Sequence, residues 1–253
     1  LVSTSASGRR GRVIAVFSPK GGVGTTSVAI NIAARRGSVP NVIVDTDLPF
    51  GDIAISLGVD PGNSLADATG SDLDLARLEG LIRSAAGGEM RALVAPADPA
   101  RAELVTAPDV TRTLDLCREL SPAVVVDTAS AFDDITLAVL EMADEIVVVT
   151  TADVAAVKNV KIALQTLNQI GIDTDRVRVV VNRFPPHPLL RVADIERALG
   201  VSVMTIPEDP AVARAAFHGV PVVSEAPRSA AAKAFGRLAE DLRITEASDL
   251  SAA

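Results

Sequence analysis

RVIAVFSPKGGVGTTSVAINIAARRG, residues 12–37, holds a short apolar run, a glycine-rich loop and then apolar residues at helical spacing. That order predicts a buried strand, a turn and a helix that stops at Gly37. A loop at this junction is where a phosphate cradle sits. Gly21, Gly22 and Gly24 let the backbone approach closely, and the helix start adds favourable potential for an anion. The hydroxyl of Thr26 is placed to bind Mg²⁺. The standard pattern, G-x-x-x-x-G-K-[ST], carries a lysine after its last loop glycine. Here that position is Thr25, and another lysine, Lys20, stands five places earlier. A dinucleotide fingerprint fits worse, because the third glycine it needs would fall on Ser27.

Two further strands end in acids. AVVVD, residues 123–127, ends in Asp127, the place for an acid that holds Mg²⁺ through water. NVIVDTD, residues 41–47, ends in Asp45 and Asp47. In a parallel sheet these ends gather at the carboxyl edge beside the loop. One of the pair suits magnesium's waters and the other the attacking water. We assign Asp45 to the metal, with Thr26 and Asp127, and Asp47 to catalysis.

Beyond the loop, apolar runs and helical patterns alternate along the chain. LDLARLEGLIRSA, residues 73–85, and PDVTRTLDLCREL, residues 108–120, read as helices, and residues 48–70 as irregular. RVRVVVNRF, residues 176–184, reads as a strand. The alternation predicts an α/β fold: a mostly parallel sheet with helices on both faces, joined by right-handed crossovers. With 48% hydrophobic residues, no Trp, no Tyr and six Phe, the core must be Val, Ile, Leu and Ala. Residues 1–11 read as a Ser/Gly/Arg-rich linker, 12–243 as one domain and 244–253 as a disordered tail.

The formal charge of −8 argues against a broad electrostatic grip on nucleic acid. The single cysteine, Cys117, excludes an intrachain disulfide framework and a multi-cysteine metal site. His187 and His218 lack partners at metal-ligand spacing. No apolar run is long enough to span a bilayer and no signal peptide is visible, so a cytoplasmic location is expected. The chain begins with Leu, and we expect a leading segment to be missing.

The K-G-G-V-G-x-T pattern at residues 20–26 resembles the deviant phosphate loop of the MinD/ParA ATPases, in the SIMIBI class of P-loop NTPases. The likeness extends from Arg12 to about Leu242. It implies ATP and Mg²⁺ as cofactors, with Lys20, Gly21, Gly22, Val23, Gly24, Thr25 and Thr26 around the phosphates. It also implies an ATP-sandwiched homodimer in which Lys20 crosses to the partner's nucleotide. VNR, residues 181–183, and IPED, residues 206–209, look like the family's adenine-side segments. Asn182 and Arg183 would meet the base, and the backbone around Pro207 would flank it.

DLPFGDIAISLGVDPGNSLADA (residues 47–68) and APRSAAAKAFGRLAEDL (residues 226–242) are similar to the TadZ/CpaE branch, MinD-like proteins that help localise and assemble Tad (type IVc) pili. Members of that branch often lack the loop lysine and follow a receiver-like domain. The resemblance therefore implies a positioning protein with weak or absent hydrolysis, pilus-assembly partners and recruitment to a cell pole or the inner membrane face. An active MinD/ParA-type ATPase in cell division or cargo/DNA partition, and a nucleotide-stabilised non-catalytic scaffold, are the alternatives. The last helix lacks the basic amphipathic character of a MinD anchor, so membrane contact is expected to be indirect at most.

Overall fold

The computed structural model describes residues 10–34 and 39–244. Among them, eight strands form one sheet: β1 (Arg12–Phe17), β2 (Asn41–Asp45), β3 (Arg83–Ala85), β4 (Met90–Leu93), β5 (Ala123–Asp127), β6 (Glu145–Thr150), β7 (Val177–Phe184) and β8 (Val203–Pro207). Their order is β3-β4-β2-β5-β1-β6-β7-β8, and every pairing is parallel except β3 with β4. The helices are α1 (Thr25–Ala33), α2 (Ile53–Leu57), α3 (Leu75–Leu81), α4 (Pro99–Ala102), α5 (Ala107–Leu120) and α6 (Asp134–Met142). After them come α7 (Val154–Gln169), α8 (Val192–Leu199), α9 (Pro210–Phe217), α10 (Val222–Glu225) and α11 (Ala230–Asp241).

Strand side chains alternate between two layers, as a pleated strand requires. Val13, Ala15 and Phe17 of β1 enter the layer formed with α3, α5, α6 and α7. Ile14 and Val16 enter the layer formed with α1, α9 and α11. Both faces are therefore dry, which explains the near-continuous apolar strands. Phe17 and Phe235 are the largest fully buried side chains; otherwise aliphatic residues fill the core.

The expected helix over 73–85 is cut short. Helix α3 ends at Leu81, Ile82 turns to extended backbone, and Arg83–Ala85 pair antiparallel with β4. A free edge on β4 favours pairing, and Ala85 is buried by it. The irregular stretch also contains α2, whose Ile53 and Leu57 are buried. The expected end of α1 at Gly37 and most of the linker and tail lie outside the described residues. Gly11 donates its N–H to the Arg118 carbonyl at 2.8 Å, and Ile244 is 2% exposed, so both pack on the domain.

β1 is the pivot. β2 and β5 lie on one side of it, and β6, β7 and β8 on the other. In such sheets the crevice forms at the carboxyl ends, where the strand order reverses. The loop after β1 opens there.

Candidate phosphate and metal site

The loop bends where glycine is needed. Gly22 and Gly24 have φ of +76° and +94°. A Cβ on Gly24 would come within 2.5 Å of the Asn182 side-chain nitrogen. Helix α1 begins immediately after, and Gly24 offers it no side-chain cap. Among the described helices of eight residues or more, α1 alone has neither a capping side chain nor an acid in its first turn. Its first N–H groups have no earlier carbonyl within the helix to bond. An anion at this position satisfies them and the helix dipole together.

The far half of the sheet braces the loop. β7 and β8 slip register between Val181 and Phe184, and such irregularities re-aim side chains. Asn182 sits at that slip, is 5% exposed, and donates its amide to the Val23 carbonyl at 2.9 Å. Arg183 takes a left-handed φ of +50°, unusual for a residue with a Cβ, and its guanidinium donates to the Gly22 carbonyl. Pro207 faces Phe184 in the register, beyond the slip. Asn182 and Arg183, two of the expected adenine-side residues, are thus brought to the loop itself.

Lys20 leaves the loop on the β6 side. Its ammonium lies 3.1 Å from Asp153, which caps α7. Hydrogen bonds from the Thr151 hydroxyl and the Ala156 N–H, and then from Lys20, hold the Asp153 carboxyl down at about 2. The Lys20 side chain is 39% exposed, so the pair is worth about 0–1 kcal/mol. A bond this weak holds the lysine without committing it.

The acids gather opposite. Asp45 and Asp127 are register neighbours on β2 and β5, 1% and 2% exposed. Burial pushes Asp45 up to about 7, against hydrogen bonds from the Ile53 and Asp47 N–H groups. Burial raises Asp127 well above the usual carboxylate range, and Asp45 adds to the rise, while the Thr26 hydroxyl bonds it. One oxygen of Asp127, Oδ1, is buried without any hydrogen-bond partner. Asp47 is half-buried, and its carboxyl is raised by burial and by Asp52 and Asp133.

Two adjacent buried carboxyls with an orphaned oxygen fit a divalent cation. Among the described residues no cluster of three His, Cys, Asp or Glu forms a ready-made cage. That suits Mg²⁺, which takes one or two carboxylates and completes its shell with phosphate and water. The structure brings Thr26, Asp45 and Asp127 into one cluster and leaves Lys20 on the other side of the loop.

Sequence reasoning missed two supports. A Cβ on Gly51 would meet Asp45 Oδ2 and the Ala95 side chain, each at 2.5 Å, so that glycine makes room for the acid. Its place six residues after a strand-end acid was the available signal. Nothing local in the sequence marks Asp153, because only the fold brings it to Lys20.

The family model for the CobQ/CobB/MinD/ParA nucleotide binding domain matches residues 14–222. The chromosome-partitioning ATPase Soj of Thermus thermophilus is 29% identical over 248 residues, covering 93% of this chain and 98% of that protein. The fold is similar to the crystal structure of a ParA family ATPase from Chlorobium tepidum TLS, with a TM-score of 0.84, 24% identity and 90% and 98% of the two chains covered. It is also similar to the septum site-determining protein MinD of Pyrococcus horikoshii, solved with Mg-ADP, with a TM-score of 0.76, 22% identity and 91% and 95% covered.

Proposed function

The chain belongs to the CobQ/CobB/MinD/ParA nucleotide-binding family, and from that premise we propose an ATP- and Mg²⁺-binding, MinD-like switch with slow hydrolysis. The observation that carries the reading is the orphaned oxygen of Asp127, buried beside Asp45 and Thr26 at the mouth of a glycine-rich loop. Residues 21–26 would wrap the phosphates. Thr26, Asp45 and Asp127 would hold Mg²⁺ directly or through water. When bound, the ion would supply charge neutralisation to the phosphates. Asp47, half-buried at the same edge, would orient the attacking water. Asn182, Arg183 and the backbone at Pro207 would border the base.

Thr25 sets the rate. It leaves the phosphates without the usual loop lysine, so binding is sustained by backbone N–H groups and the metal while turnover is slow. ATP would assemble a homodimer in which Lys20 leaves Asp153 for the partner's phosphates. The task we assign to this switch is positioning or assembling a Tad-type (type IVc) pilus machine, on the resemblance of residues 47–68 and 226–242 to the TadZ/CpaE branch. Protein partners would recruit it to a cell pole or the inner membrane face. A division or partition ATPase is the second reading, and the chromosome-partitioning relative favours it.

Two measurements test the proposal together. A fluorescent ATP analogue should bind the parent, bind Thr26→Ala without Mg²⁺ dependence, and not bind Gly24→Val. Phosphate release should be slow in the parent and rise at least tenfold in Thr25→Lys. Equal binding by all three chains would remove the loop from the site, and a fast parent would support the second reading.

A further inference from the structure

A groove of about 760 Å³ lies beside the acid cluster and is separate from the glycine-rich loop, none of whose residues lines it. Leu48 and Pro49 after β2 form one wall, Ala102 of α4 another, and Val105, Ala107 and Ile135 at the starts of α5 and α6 the rest. The volume falls within the range of about 300–1,000 Å³ typical of ligand sites. The apolar surface continues past its lip, where Phe50 and Leu104 stand 81% and 68% exposed. Exposed residues of this size adjoining an apolar hollow mark a binding surface broader than a small molecule needs.

The lip is acidic. Glu103, Asp133 and Asp134 line the groove, and no Lys or Arg does. Asp133 caps α6, but no ion pair or side-chain hydrogen bond engages Glu103 or Asp134 among the described residues. Arg101, two residues before Glu103, is paired with Asp67 at 2.6 Å. The starts of α5 and α6 also open here, and helix starts attract anions. Both are already served, α5 by the Thr106–Asp109 capping box and α6 by Asp133. The net field at the groove is therefore negative.

We propose that this groove docks a partner protein through a short segment whose apolar side chains fill it and whose flanking Lys or Arg residues meet Glu103, Asp133 and Asp134. Apolar burial supplies the affinity, and the acidic lip supplies selection and steering. The inference does not rest on the nucleotide reading, because it uses no residue of the glycine-rich loop.

The probe is a displayed library of random twelve-residue peptides, selected on the full chain and counter-selected on Ala107→Gln. That substitution narrows the groove without changing charge, at a helix start that tolerates a polar residue. The selected peptide is then measured by fluorescence anisotropy. The expected winners carry Leu, Phe or Pro anchors flanked by Lys or Arg. Their affinity should fall at least tenfold in Ala107→Gln and at least tenfold in the surface double variant Glu103→Lys/Asp134→Lys, with circular dichroism unchanged. Acidic winners, an empty selection or undiminished binding by the folded double variant would overturn the proposal. Loss of self-association in both variants, seen by sedimentation with no peptide selected, would overturn it too, since a second copy would then be the occupant.

Discussion

The two edges of the sheet use the same residue type in opposite ways. At the amino edge Asp144, Glu145 and Asp241 each meet an arginine. Arg12 Nη2 lies 3.0 Å from Glu145, and its Nη1 donates to the Leu242 carbonyl at 2.6 Å. Arg178 spans Glu145 and Asp241 at 3.5 and 3.4 Å, and Arg118 meets Asp144 at 3.1 Å. This network ties α5 and the end of α11 to β1, β6 and β7. At the carboxyl edge Asp45, Asp47 and Asp127 have only N–H and hydroxyl partners, one another's charge, and an oxygen with no partner. Paired acids hold the fold together. Unpaired buried acids work against it until a cation arrives.

Breaking the amino edge should cost the most stability. Arg12→Ala removes the closer partner of Glu145 and uncovers the Leu242 carbonyl, while Arg178 remains. We expect a loss of about 2–3 kcal/mol, read from the urea midpoint at constant slope.

Relieving the carboxyl edge should have a smaller effect of opposite sign. Burial raises Asp45 from 3.8 to about 7 in the folded chain. Between those values the native state binds more protons than the unfolded one, so stability falls as pH rises and levels off above pH 7. Asp45→Asn should flatten that slope. At pH 8 without Mg²⁺ it should add about 1–2 kcal/mol net, since Asn loses one of the two N–H groups the carboxylate accepts. Melting at pH 5 and pH 8 checks this; a parent that melts higher at pH 8 would refute the sign.

Lys20 lies between these extremes, and its removal should be nearly silent. Lys20→Ala should cost less than about 1 kcal/mol, because its bond to Asp153 is exposed. Sedimentation with ATP should nevertheless show dimers in the parent and monomers in the variant, with monomer affinity for ATP kept. A variant that loses ATP binding as a monomer would place Lys20 on its own nucleotide.

The contrast also marks what the sequence could show. The loop, the strand-end acids and the parallel alternation are local patterns, and RVIAVF, NVIVD and AVVVD were legible because both their faces are buried. β3 was not, because an edge strand of three residues is formed by its neighbour's free edge and carries no periodicity of its own. The pairing of Lys20 with Asp153, 133 residues apart, and the room that Gly51 makes for Asp45 are likewise products of the fold. The turn of Asn182 and Arg183 onto the loop depends on a register slip between β7 and β8 that composition does not announce.

The most direct test of the account is calorimetric titration of ATP at pH 7, with and without Mg²⁺, in two buffers of different ionisation enthalpy. Asp45 is part-protonated there, so a cation arriving between Asp45 and Asp127 must expel protons. Mg²⁺-dependent binding is expected, with proton release that exceeds the release by Asp45→Asn. Equal affinity with and without Mg²⁺, and identical proton release in the two chains, would contradict it.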